Sequence, residues 1–196
     1  MLLMSLLVAY AFRFRLFPAV VPGATDLLLG LVVTAALVLF MRPRWDAAVR
    51  AGDRRLYFFM PRGAKEKSLW VAVSAAAGFG EEVTYRGVLY LLLHLLTGNG
   101  WIAALVSALL FAAGHAFQSR ASMVIIFGFA LVFQGLAIGT GALYVPMLAH
   151  FLYDVVAGFT YAKLGRELGY VAEGDPAAGT PSAAPPPAVP SAPGPP

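Results

Sequence analysis

No cysteine occurs in the chain. That excludes disulfides, thiolate nucleophiles and cysteine-ligated zinc. Charge is scarce as well: Asp, Glu, Lys and Arg make up 12% of the 196 residues, about half the share found in soluble domains. Histidine occurs three times, at His94, His115 and His150, and lysine three times against eleven arginines. What fills the rest is apolar: 60% hydrophobic residues and a mean hydropathy of +0.76. The composition reads as an all-α integral membrane protein whose length suits one helical bundle. The formal charge of +4 does not point to nucleic acid. The basic residues gather in one stretch beside apolar segments, where the positive-inside rule accounts for them. Arginine over lysine, with abundant alanine and proline, fits a bacterial chain.

Against this background the run from Gly78 to Gly87, GFGEEVTYRG, stands out. It sets Glu81, Glu82 and Arg86 inside an apolar stretch. A charge at the centre of a membrane costs at least roughly 2.5–3.5 kcal/mol, so such groups are functional candidates. Glu82 and Arg86 are four apart with the acid first, the better order for a helical ion pair. That pair leaves Glu81 without a helical partner and pointing elsewhere, a free carboxylate in an apolar setting. A carboxylate so placed is a candidate general base or metal ligand.

Six spans are expected. Residues 1–12 are apolar but cover only about half of the roughly 20 residues that a bilayer takes. A helix from Asp26 through residue 41 follows Pro18 and Pro22. Residues 42–67 read as a basic cytoplasmic loop with an aromatic patch at 56–60. Residues 69–96 read as one long helix, longer than a bilayer needs, and Thr97-Gly98-Asn99-Gly100 as a turn. Spans at 101–117, 123–138 and 143–161 complete the set. The expected organisation is an N-terminal membrane segment and basic loop at 1–67, a catalytic-type core at 68–165 and a Pro/Ala-rich tail at 166–196, disordered for want of core-forming residues. Threading the spans puts the 42–67 loop and the tail on the cytoplasmic side of a bacterial inner membrane.

Two more constellations lie in the later spans. Phe111 and His115 are four apart, and so are His150 and Asp154, so each pair shares a helix face. His94, which has no partner motif, reads as a residue making an interhelical hydrogen bond. Glu81, His115, His150 and Asp154 on three helices suggest one convergent site. One tension remains: His115 falls near a cytoplasmic helix end, whereas Glu81 lies about 20 Å along its helix from Ser68 at 1.5 Å per residue. For the two to meet, that helix must begin outside the bilayer or tilt.

The three motifs in order resemble those of the CAAX prenyl protease and bacteriocin-processing family, also called the Abi or CPBP intramembrane proteases. They are Glu81-Glu82-Val83-Thr84-Tyr85-Arg86 followed by Gly87, Phe111-Ala112-Ala113-Gly114-His115, and His150-Phe151-Leu152-Tyr153-Asp154. The resemblance covers residues 69–161. It implies an all-helical membrane endopeptidase acting on a membrane-associated or lipid-anchored peptide. In that reading Glu81 and His115 activate a water, Glu82 and Arg86 orient the site, and His150 with the residue at 154 stabilises the oxyanion. The third motif often carries Asn where Asp154 stands, and an ionised Asp cannot donate a hydrogen bond. Asp154 would then hold His150 in one tautomer or bind a metal. A divalent metal such as zinc, ligated by Glu81, His115, His150 and Asp154, is left open beside a metal-free glutamate mechanism. Two other functions compete: a non-catalytic interaction or immunity-type protein on the same scaffold, which Glu81→Gln would spare, and a proton-coupled transporter, against which the short chain without an internal repeat argues. Membrane lipids and a peptide or lipidated protein are the expected partners, with no nucleic acid.

Overall fold

The structure, a computed structural model, describes residues 1–19, 21–52, 61 and 63–167. These form α1 (Leu2–Ala11), α2 (Ala24–Arg50), α3 (Ala64–Glu81), a π-helical segment (Glu82–Leu89), α4 (Tyr90–Thr97), α5 (Gly100–Gly114), α6 (Arg120–Thr140) and α7 (Tyr144–Glu167), with no strand among the described residues. Backbone angles stay helical at Glu82 and Tyr90. Helix α3, the π segment and α4 are therefore one continuous rod, and six helical rods make up the described chain. The expected aromatic patch at 56–60 and the tail beyond residue 167 lie outside the described residues.

Helices α2 and α6 are each long and apolar enough to cross a bilayer, and α1 and α5 are shorter apolar helices. Their outer surfaces match a lipid setting: Leu28, Val32 and Leu39 on α2, Leu109 on α5 and Val124 on α6 are all more than half exposed. Rows of exposed large apolar side chains are rare on a soluble monomer. Six crossings are not established by these lengths: α1 has ten residues and rises only about 15 Å.

Three expectations from the sequence need correction. The stretch from Arg42 is not loop, because α2 continues to Arg50 through Pro43. Two contacts explain the extension. Trp45 is buried between Tyr153 and Tyr161 of α7, at ring separations of 5.7 Å each, and Arg50 pairs with Asp46 at 2.7 Å. The long helix at 69–96 is not uniformly α-helical. Its middle widens into a π turn, where side-chain hydroxyls take up backbone carbonyls: Thr84 Oγ1 donates to Gly80 O at 2.7 Å and Ser107 Oγ to Tyr85 O at 2.7 Å. Extended π turns are rare and concentrate at functional sites. Finally, α5 stops at Gly114, so His115 sits on the turn that follows rather than on the helix.

Local chemistry sets the other ends. Gly98 and Gly141 close α4 and α6 with φ of 65° and 67°, values that favour glycine. Asn99 caps α5 by accepting from the amides of Trp101 and Ile102, and Ser119 caps α6 by accepting from Ser122 N.

Helix α7 is the hub, packed against α2, α3 and α6, while the π segment meets α1, α5 and α6. Close approach relies on small residues, as is usual between helices in membranes. A Cβ on Gly78 would stand 3.0 Å from Met147 O and Phe151 N of α7, and one on Gly158 would strike the Trp70 indole. That indole donates to Asp154 O at 2.9 Å, which ties α3 to α7 at the level of the third motif. Apolar clusters flank the junction. Ala9, Leu16, Val83, Val88, Ala137 and Leu143 form one, and Phe133, Leu136, Val145 and Ala149 another.

Candidate active site

The rod, α5 and α7 bring the polar residues to one level of the bundle. Glu82 and Arg86 lie at the centre, completely or almost completely buried. Arg86 Nη1 is 3.1 Å from Glu82 Oε1, the ion pair that the spacing suggests. The contact is Coulombic rather than an aligned hydrogen bond, since Arg86 Nη1 and Nη2 and Glu82 Oε2 have no hydrogen-bond partner among the described residues. Aromatic faces make up part of the deficit. The guanidinium carbon stands 4.1 Å from the Phe111 ring centre and 5.6 Å from that of Phe133, within cation–π range.

Glu82 has a second partner that the sequence did not suggest. His150 Nδ1 lies 2.7 Å from Glu82 Oε1, joining residues 68 positions apart. A carboxylate on Nδ1 fixes the proton there and leaves Nε2 to face the site. Around that Nε2 stand Asp154 Oδ2 at 3.6 Å and Glu81 Oε2 at 3.8 Å. Both are Coulombic contacts, beyond hydrogen-bond reach. Glu81, expected to point away from any partner, therefore faces His150. About a quarter of its side chain is exposed, against none for Glu82. The His150 ring is held between Phe133, stacked at 5.4 Å, and Phe111, edge-on at 6.4 Å.

His115 approaches from the end of α5. Its Nδ1 is 2.9 Å from Phe111 O. A carbonyl can only accept, so Nδ1 carries the proton and neutral His115 keeps a bare lone pair on Nε2. Asp154 is in electrostatic range of His115 as well as of His150, Glu81 and Glu82. The depth tension between Glu81 and His115 eases because α3 begins at Ala64 and α5 returns antiparallel along the rod. Ser107 meets Tyr85 near mid-helix, and Gly114 comes beside the Tyr85 hydroxyl. His94 stands apart, stacked on Tyr90 at 6.1 Å.

Zinc would need its protein ligands at about 2.0–2.2 Å from one point. Among the described residues no three His, Asp or Glu side chains form such a group. Glu81, His115, His150 and Asp154 do not fit the ligand set left open from the sequence, and no step below runs through a metal.

Sequence reasoning missed the Glu82–His150 bond, the Phe133 wall and the Trp70 anchor, all contacts between distant segments. Tyr85 was within its reach, because it stands four residues after Glu81.

An all-helical bundle with apolar outer faces and an ionisable cluster at its centre defines a membrane-embedded protein with a buried polar site. Residues 64–156 match the family model described as Rce1-like, type II CAAX prenyl endopeptidase Rce1-like. Over this segment the chain is similar to the CAAX prenyl protease and bacteriocin-processing family of membrane endopeptidases. No curated protein and no solved structure matches it.

Proposed function

We propose that the chain is an intramembrane endopeptidase that hydrolyses a peptide bond of a prenylated or otherwise lipid-anchored substrate through a water activated by Glu81. The observation that carries this reading is the division of labour between adjacent glutamates: Glu82 is sealed between Arg86 and His150, while Glu81 keeps access to solvent and faces His150 Nε2. The family assignment supports the same chemistry.

In this mechanism Glu81 takes a proton from water as the resulting hydroxide adds to the scissile carbonyl carbon. The bare Nε2 of His115 accepts a hydrogen bond from the other O–H of that water and orients it. A tetrahedral intermediate forms with its charge on the former carbonyl oxygen. The Nε2 side of His150 faces that charge, and donates to it when both ring nitrogens carry protons. Collapse breaks the C–N bond, and the proton held by Glu81 passes to the leaving amine, as general acid–base catalysis requires. The products are a carboxylic acid and an amine, which ionise to a carboxylate and an ammonium, and Glu81 is again a carboxylate. Glu82 positions His150 through Nδ1, and Asp154 steadies it from the other side. The 42–67 region and the C-terminal tail face the cytoplasm, and the substrate enters from that side.

The test compares purified wild type with Glu81→Gln on an internally quenched peptide ending in a farnesylated CAAX sequence, together with peptidomics of membranes from cells carrying either form. Cleavage by wild type alone, with an uncut precursor accumulating beside the variant, supports the reading. Equal behaviour of two folded proteins sinks it in favour of a non-catalytic binding protein. Insensitivity to a chelator is the expected result for a water activated by glutamate alone.

A further inference from the structure

Hydrolysis as proposed above places a negative charge on the former carbonyl oxygen, and donors aimed at that charge are often the largest single source of rate. Apart from the Arg86 guanidinium, which is sealed away beside Glu82, the acids and histidines of the three motifs are poorly supplied with donors. Glu81, Glu82 and Asp154 only accept when ionised. The Nδ1–H of His150 is committed to Glu82 at 2.7 Å, and the Nδ1–H of His115 to Phe111 O at 2.9 Å. Among these acids and histidines none is an uncharged donor with access to substrate.

Tyr85 has these properties. It follows Glu81 by four residues, so the two are neighbours on one face of the rod, whereas Glu82 and Arg86 occupy the adjoining sealed face. Tyr85 is half-buried. Its ring stands edge-on to Phe111 at 5.0 Å, and its backbone is fixed by Ser107 Oγ donating to Tyr85 O at 2.7 Å. The hydroxyl reaches the residue just before His115: a Cβ on Gly114 would lie 3.6 Å from it. Glycine at that position leaves room beside the phenol, between the end of α5 and the rod. The phenol is also in electrostatic range of Glu81.

We infer that the Tyr85 hydroxyl is a catalytic hydrogen-bond donor to the tetrahedral oxyanion, acting beside His150 Nε2. The inference rests on the endopeptidase reading. It removes the difficulty that Asp154 raises, because the donor role then falls to a neutral phenol rather than to a carboxylate.

Tyr85→Phe deletes the hydroxyl and keeps the ring contact with Phe111. On the farnesylated quenched peptide, kcat should fall about 10²-fold with KM changed less than about twofold, the scale seen when one oxyanion donor is removed. The thermal midpoint should not move. A phosphinate analogue of the scissile bond should lose affinity by a similar factor, while the amine-side product peptide loses none. A second form carrying 3-fluorotyrosine at position 85, which retains the O–H, should keep most of the rate. Wild-type kcat in Tyr85→Phe overturns the inference. So does a raised KM with unchanged kcat, which would make the phenol a ground-state contact. Glu81→Gln, run beside it, separates the two claims. If that variant is inactive and Tyr85→Phe is not, only the Tyr85 inference falls; if Glu81→Gln cleaves like wild type, the endopeptidase reading fails and takes the inference with it.

Discussion

On one face of the π segment Glu82 and Arg86 are shut away from solvent, walled by Phe111 and Phe133 and bonded to His150. On the adjoining face Glu81 keeps a quarter of its side chain exposed and Tyr85 is half-buried. The two glutamates are adjacent in sequence and identical in chemistry. Packing alone divides them. The sealed carboxylate depends on Arg86 and His150 beside it, and in the reading proposed above it orients the site. The accessible one has no partner closer than 3.8 Å among the described residues, and in the proposed reading it takes and releases the proton. Which of two neighbouring acids can react is thus decided by which helices lean on each face.

The comparison breaks most visibly on the sealed face. Arg86→Ala leaves Glu82 as a buried charge facing His150 alone, and removing one partner of a buried pair costs about 3–5 kcal/mol. Total stability is typically about 5–15 kcal/mol, so this variant should extract from membranes as aggregate, read by size-exclusion profile and thermal midpoint. The double change Glu82→Leu with Arg86→Met should recover much of the midpoint, because apolar residues can replace a buried ion pair at little net cost. It should recover no activity, because His150 loses its orienting carboxylate. On the accessible face Glu81→Gln should do the reverse: rate on the farnesylated peptide down about 10²–10⁴-fold, with the midpoint essentially unmoved. Equal loss of midpoint in both single variants would show that the two faces are not distinct.

Much of this division was legible in the sequence, for a definite reason. The pairs Glu82–Arg86, Phe111–His115 and His150–Asp154 are each four residues apart, and helical periodicity makes such residues neighbours wherever the helix lies. The helical class and the long central rod follow from the same pattern and from composition. What could not be read is what depends on two distant segments meeting. The bond between Glu82 and His150 spans 68 positions, and the approach of Trp70 to Asp154 spans 84. The continuation of α2 to Arg50 depends on Trp45 finding Tyr153 and Tyr161. The π turn is hidden for the same reason, since the Ser107 hydroxyl that takes up Tyr85 O belongs to another helix.

A smaller effect tests whether the two faces are held in place by α7. A Cβ on Gly158 would overlap the Trp70 indole, which must then swing away and abandon Asp154 O. Gly158→Ala should therefore cost about 1–3 kcal/mol, the usual range for overpacking, with a change in tryptophan fluorescence. Gly114→Ala is the matched control: its Cβ would rest 3.6 Å from the Tyr85 hydroxyl, an ordinary contact, so the midpoint should stay where it is.

The smallest expected effect concerns α1, which lies outside the matched segment at 64–156. Ser5 Oγ donates to Thr84 Oγ1 at 3.0 Å, which holds α1 against the π segment. Thr84 also keeps its own bond to Gly80 O at 2.7 Å, and Leu16 and Ala9 still pack against Val83 and Val88. Ser5→Ala therefore removes one of several supports, at a cost of about 0.5–1.5 kcal/mol, and kcat should stay within about twofold of wild type. If the rate instead fell tenfold while the midpoint moved by no more than this, the α1 contact would be setting the register of the π turn. The separation of Glu81 from Glu82 would then depend on a segment beyond the matched residues 64–156.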